Sequence, residues 1–236
     1  MFATDRDRQI VHEISRYRQL SSGQIFELLF HGAKSKTRLH DALKRLKKAG
    51  FISMIERRPV GGTGAGSGPV VWQLGTKGRK YFEREKGYPY RSIHPHTLAI
   101  ADAAIGLKRL ERDGSIEIVG LATEPDTWQV IAGADLRPDL HVELGIPSRG
   151  MSVSLWIEVD MGTERQKQLK DNLARYMHAY EHVTEADMSV FPRILFLVPD
   201  DERLKELNSL INSGPAEAKD LFRVQRQDSF PQLLLS

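Results

Sequence analysis

"PDLHVELGIPSRGMSVSLWIEVD", residues 138–160, decides how the second half of this chain folds. Apolar and polar residues alternate through "PDLHVELGI", and "MSVSLWIEVD" has the strongest strand pattern in the sequence. Two strands are expected, each carrying carboxylates. Asp139 opens the first, and Glu158 lies on the second with 18 residues between. A side-chain period of two places Glu158 and Asp160 on one strand face and Val153, Leu155, Ile157 and Val159 on the other. Asp139 and Glu158 on neighbouring strands could share one hard cation such as Mg²⁺, with Asp160 as a third carboxylate. Such a cation stabilises charge on a phosphoryl centre and activates a water.

Outward from this stretch, strand and helix patterns alternate. Downstream, Thr163 to Val183 is predicted to be a long helix with Leu169, Leu173, Tyr176, Met177 and Tyr180 on its apolar face. "RILFLVP" reads as a buried strand, residues 200–212 as a helix and "LFRVQ" as a last short strand. Upstream, Pro95 begins a helix to about Arg112, with Leu98, Ala101, Ile105 and Leu110 inside. Asp102 interrupts that helix, where a buried carboxylate would need a partner. "SIEIVGL" and "TWQVIAG" read as further strands. This order implies a sheet with mixed pairing and helices against it. The proline-bearing junction "GYPYRSIHPH" marks where the unit begins, so residues 91–236 are expected to form one domain.

Residues 1–90 follow a different plan. Thr4 and Asp7 can cap a helix through about Arg18, with Ile10, Val11, Ile14 and Tyr17 on one face. Ser21 or Ser22 starts a second helix presenting Ile25, Leu28 and Leu29. Ser35 is expected to cap "KTRLHDALKRLKKAG", a third helix stopped at Gly50. Leu39, Leu43 and Leu46 point inward at i, i+4 and i+7, leaving Arg38, Asp41, Lys44, Arg45 and Lys48 outside. "FISMIERRPV" and "VVWQLG" then read as two strands around the glycine-rich "GGTGAGSGP", with a further helical stretch from Lys77 to Lys86.

Charge separates the halves. Residues 1–90 hold 18 Lys and Arg against 8 Asp and Glu, a net of +10, whereas the remainder is net −7. A basic unit attracts polyanions, nucleic acid first. The chain has no cysteine, which excludes disulfides and thiolate metal sites. Its start lacks the apolar core of a signal peptide, and no apolar run is long enough to span a bilayer. The expectation is a soluble cytoplasmic protein with no membrane partner.

Three short helices followed by a β-hairpin resemble a winged helix-turn-helix, over about residues 4–87. Placed on duplex DNA, the third helix would enter the major groove. Ser35, Lys36, Thr37 and Arg38 at its start would lie nearest base edges. Lys44, Arg45 and Lys48 would meet phosphates, which position without specifying. Arg57 and Arg58 would reach a neighbouring phosphate or the minor groove. The second half, in its order of helix, three strands, helix and strand, resembles the PD-(D/E)xK nuclease superfamily, to which many restriction endonucleases belong. The fold class expected is therefore α+β: a winged helix-turn-helix followed by a restriction-endonuclease-like α/β domain with a mixed central sheet. That resemblance implies a catalytic lysine two residues after Glu158, where Asp160 stands instead. Lys167 or Lys170 on the following helix could reach back in its place. "RPDLHVEL", "LWIEVDMGTE" and "FPRILFLVP" together are similar to the replication-relaxation family of plasmids and other mobile elements, and the likeness covers most of the chain. It implies a role in controlling replication of such an element.

Other patterns carry less. Gly61, Gly62, Gly64, Gly66 and Gly68 crowd one loop, but no Gly-Lys-Ser/Thr follows and a strand comes next, so a phosphate-binding loop is excluded. "HAYEH", His178 to His182, matches a zinc-protease spacing without a distant ligand, and "HPH", His94 to His96, fits a junction better than a metal site. Three functions remain open. The first is a homodimeric regulator that holds double-stranded DNA with the winged helix and uses the nuclease-like domain for dimerisation or for contact with a replication initiator. The second is a Mg²⁺-dependent DNA endonuclease using Asp139, Glu158 and Asp160. The third is a protein-interaction module that does not bind DNA.

Overall fold

The computed structural model describes residues 2–55, 69–83 and 89–235. The glycine-rich loop and Arg57 and Arg58 lie outside the described residues, as do 84–86 at the end of the expected helix from Lys77. The chain is α+β and divides into two compact units, residues 1–105 and 106–236.

The first unit opens with α1 (Asp5–Tyr17). Thr4 caps it by accepting from the Asp7 N–H at 3.1 Å, which satisfies one of the free donors of the first turn. A three-residue strand, β1 (Gln19–Ser21), follows, and then α2 (Ser22–Leu29). Ser21 and Gln24 form a reciprocal capping box at the start of α2. The next helix, α3 (Thr37–Ala49), begins with Lys36 at its N-cap. Ser35 acts one position earlier than expected, accepting from the Thr37 N–H at 3.1 Å. Gly50 ends α3 at φ 81, a left-handed conformation that favours glycine. β2 (Ile52–Ile55), β3 (Val71–Leu74) and α4 (Thr76–Tyr81) complete the series. The three strands form an antiparallel sheet in the order β1-β3-β2. Ile10, Val11, Ile14, Leu20, Ile25, Leu39, Leu43, Leu46, Val71 and Leu74 make the core.

α5 (Pro95–Arg112) runs across the division between the units. Its first half belongs with the first unit because the Gln24 amide donates to the Leu98 carbonyl and the Asp102 carboxylate, both at 2.8 Å. Asp102 itself is exposed. The change in charge at residue 90 therefore precedes the division.

The second unit contains β4 (Glu117–Thr123), β5 (Gln129–Ile131), β6 (Ala134–Leu136), β7 (Leu140–Ile146) and β8 (Met151–Val159). These are followed by α6 (Gln166–His182), β9 (Arg193–Val198), α7 (Asp201–Asn212), α8 (Ala218–Leu221) and β10 (Phe222–Arg226). Five strands make one mixed sheet in the order β10-β9-β8-β7-β4. β4, β7 and β8 pair antiparallel, and β8, β9 and β10 pair parallel. The parallel steps require crossovers, which α6 and the α7–α8 pair provide. β5 and β6 form a separate hairpin. Ile131, Ala134 and Leu136 of that hairpin join Trp156, Leu169, Tyr176, Phe196 and Leu207 in one apolar cluster. Among the described residues no helix is long and apolar enough to cross a membrane.

Candidate functional site

In the first unit, α3 separates its residues by face. Leu39, Ala42, Leu43 and Leu46 are buried, and Ser35, Lys36, Thr37, Arg38, Lys44 and Lys48 are exposed. Two cations have internal contacts. The Lys36 ammonium lies 5.6 Å from the centre of the Phe26 ring. Arg45 donates from Nε and Nη2 to the two oxygens of Asp7, at 2.9 and 2.6 Å, and Asp7 is only 1% exposed. A bidentate pair on a buried carboxylate anchors α3 to α1, so Arg45, expected as a phosphate contact, is tied to Asp7 along one edge while its side chain stays 44% exposed. Arg38 lines a cleft of about 680 Å³ with Arg6, His31, Asp41 and Arg45.

In the second unit, the register Leu140↔Ile157 sets Asp139 opposite Glu158 at one end of the sheet. Asp139 is held by both its backbone and its side chain. Its N–H donates to the Ile157 carbonyl at 3.1 Å, and its Oδ2 accepts from the Val159 N–H at 2.7 Å. Glu158 accepts from the Tyr176 hydroxyl of α6. Burial, and next the charge of Asp139, push the Glu158 carboxyl well above its ordinary value; the Tyr176 hydrogen bond and Arg175 oppose this in part. Burial and the charge of Asp160 raise Glu164 as well. Tyr176 is likewise pushed up, first by burial and then by Glu158. This sheet end is therefore crowded with carboxylates, which Arg175 offsets only in part at Glu158.

Asp160 does not join Asp139 and Glu158. β8 ends at Val159, and the chain turns through Gly162 at φ 72 while Asp160 Oδ1 accepts from the Gly162 N–H at 2.8 Å. The Asp160 N–H still donates to the Leu197 carbonyl of β9 at 2.9 Å, so the backbone leaves the sheet just after this residue. The Asp160 carboxylate meets Arg203 of α7, which donates to it from Nε and from Nη2, the second bond at 3.3 Å. Arg203 is 7% exposed and also donates to Glu206 at 2.8 Å and to the Glu164 carbonyl at 3.0 Å. Among the described residues no three carboxylates or imidazoles are grouped to hold a metal ion. Of the three carboxylates expected to share Mg²⁺, Asp160 is paired with Arg203, while Asp139 and Glu158 stand opposite each other across β7 and β8.

Lys167 and Lys170 are both exposed on α6. Lys170 lines a separate apolar cleft of about 370 Å³ with Leu173, Met177, Leu210, Ile211 and Phe222. The α6 cation whose field reaches Glu158, Glu164 and Tyr176 is Arg175, which the sequence reading passed over. Its signal was adjacency to Tyr176, a hydroxyl-bearing residue on the apolar stripe that needed a polar partner when buried.

A family model described as replication-relaxation matches residues 11–194. No curated protein and no solved structure matches the chain.

Proposed function

The chain belongs to the replication-relaxation family, and we propose on that premise that it is a DNA-binding protein controlling replication of a plasmid or other mobile element. One observation carries the DNA reading: α3 buries a leucine face and exposes a cationic one. The order of helices and strands in the first unit, with its β1-β3-β2 sheet, supports a winged helix-turn-helix. On duplex DNA, Lys36, Thr37 and Arg38 approach base edges while Lys44 and Lys48 meet phosphates. The protein acts as a homodimer, since winged helices often read paired half-sites.

The second unit serves as a nuclease-like scaffold that pairs protomers or contacts a replication initiator. Capture of Asp160 by Arg203 supports this non-catalytic role, because position 160 then has neither a lysine nor a free carboxylate. A nuclease reading draws its support from Asp139 facing Glu158, which could share one Mg²⁺.

The test of DNA binding is duplex affinity across a salt series for the triple variant Arg38→Ala, Lys44→Ala, Lys48→Ala. Binding should weaken, and the slope of log affinity against log salt should become shallower by about 0.9 for each lost phosphate contact. Unchanged affinity and slope reject α3 as the DNA-binding element. Incubation of plasmid with protein and Mg²⁺ or Mn²⁺, beside an Asp139→Ala control, separates the two roles of the second unit. Cleavage that disappears in the control establishes the nuclease reading.

A further inference from the structure

The chain has three tryptophans, and the fold treats them differently. Trp72 is 8% exposed and Trp156 fully buried, but Trp128 is 41% exposed. Leaving an indole in water forgoes roughly 25 cal/mol for every Å² that could have been buried. Trp128 is not on a loose tip. Its backbone N–H donates to the Pro125 carbonyl at 3.0 Å, and the Asp126 N–H donates to the Thr123 carbonyl at 3.0 Å. The neighbouring Thr127 is buried, and its hydroxyl donates to the Pro138 carbonyl, one residue before Asp139. The segment carrying the indole is therefore fastened to the strand entry that carries the carboxylate pair.

A cation lies against the ring. The Arg137 guanidinium is 4.9 Å from the Trp128 ring centre. Its Nε and Nη2 both donate to Asp135, at 2.9 and 2.6 Å. Five N–H donors make up a guanidinium, so this pairing fixes the group and leaves other donors unspent. Hydrogen bonding to Arg137 holds the Asp135 carboxyl below its ordinary value, and Arg175 adds to that effect. The same Arg175 acts on Glu158 and Glu164. Arg175 is exposed on α6, and α6 meets the β5–β6 hairpin where His178 Nε2 lies 3.1 Å from the Ala132 carbonyl oxygen, so an indole and two guanidinium groups stand on the hairpin side of the second unit.

We propose that Trp128, Arg137 and Arg175 form a binding site for single-stranded nucleic acid. An unpaired base stacks on the exposed indole, and the adjoining phosphates meet the two guanidinium groups. Stacking on an aromatic ring favours an unpaired base because a base inside a duplex already has both faces covered. Arginine suits the neighbouring role because its plane lies on the indole while its N–H edge remains open to phosphate oxygens. This site goes beyond the duplex binding assigned to α3 and does not depend on it.

Trp128 being the exposed one of the three tryptophans supplies the probe. The full chain, in the Arg38→Ala, Lys44→Ala, Lys48→Ala background, is titrated with an oligothymidylate of about eight nucleotides, within the usual span of such sites. Tryptophan emission should be quenched saturably, while a duplex of the same length leaves it little changed. Trp128→Ala should abolish the quench and weaken binding of a labelled oligonucleotide about tenfold, and Trp128→Phe should restore most of that affinity. Arg137→Ala should make the salt slope shallower by about 0.7. Emission unaffected by saturating oligonucleotide, equal quenching by duplex, or full affinity in a folded Trp128→Ala chain overturns the site. Because the quench is read without the α3 cations, its failure leaves the duplex reading standing, and the reverse also holds.

Discussion

α3 and the carboxylate end of the large sheet both concentrate charge, yet they handle it in opposite ways. On α3 the leucines take the buried face, and Arg38, Lys44 and Lys48 are left in water. At the sheet end Asp139 and Asp160 are buried and Glu158 partly so. Each of these carboxylates is engaged by a neighbour: the Val159 N–H, Arg203 or Tyr176. Exposed charges cost the fold little and are available to a polyanion. Charges withdrawn from water must be paired inside the protein, and pairing sets what they can still bind. A run of like charge in a sequence therefore indicates a binding surface only after its burial is known.

The largest effect should come from Arg203→Ala. It leaves Asp160 buried without its cation, and breaking a buried pair from one side costs about 3–5 kcal/mol. Urea unfolding measures this, and a loss under 1 kcal/mol would show that the sheet end is as tolerant of lone charge as α3.

Adjacent residues sharpen the contrast next. Arg45→Ala should cost about 2 kcal/mol, because buried Asp7 loses a bidentate charged donor. Lys44→Ala should stay within about 0.5 kcal/mol, as surface changes usually do. Its effect should appear in the salt dependence of DNA binding. Equal stability losses at positions 44 and 45 would erase the distinction drawn between them.

A smaller effect, with a definite sign in pH, is expected for Glu158→Gln. In the folded protein the carboxyl sits above its ordinary value of 4.5. Below that ordinary value it is protonated in both states, and its contribution to stability is complete. As pH rises, the unfolded chain ionises first while the folded one keeps its proton, so stability is lost until the folded carboxyl also ionises. Glutamine escapes this loss. The melting temperature of the variant should therefore gain on the parent from acid toward neutral pH. Tyr176→Phe should act in the reverse sense on the carboxyl, because it removes a hydrogen bond that holds the Glu158 value down. A pH-independent difference for Glu158→Gln would mean that Glu158 is solvated like the cations of α3.

Long periodic elements were legible in the sequence. α1, α3, α6 and β8 appear where apolar repeats of 3.6 or 2 placed them, because burial of one face sets both the pattern and the fold, and β9 appears where a continuous apolar run marked a strand buried on both faces. β1 was not legible. Three residues are too few to show a period, and Gln19–Ser21 becomes a strand only by pairing with β3. Asp139 and Glu158 could be matched across neighbouring strands because alternation fixes register. Asp160 could not, since its direction depends on the turn at Gly162 and on an arginine 43 positions away. Arg175 was missed in favour of Lys167 and Lys170 because closeness to the strand in sequence outweighed rotation about the helix axis. Whether a cation on α3 was free could not be read locally either, since the partner of Arg45 lies on α1.

The Asp160–Arg203 pair also constrains what this chain can become. A lysine at position 160, two residues after Glu158, would set two cations against each other in a buried place. Replacing Arg203 first would strand the aspartate there instead. Each single step toward the lysine-bearing nuclease pattern thus passes through a weakened protein, and only the two changes made together avoid it. The pair works as a stability lock: no single substitution at position 160 or 203 reaches the lysine-bearing pattern without leaving a buried charge unpaired or opposed.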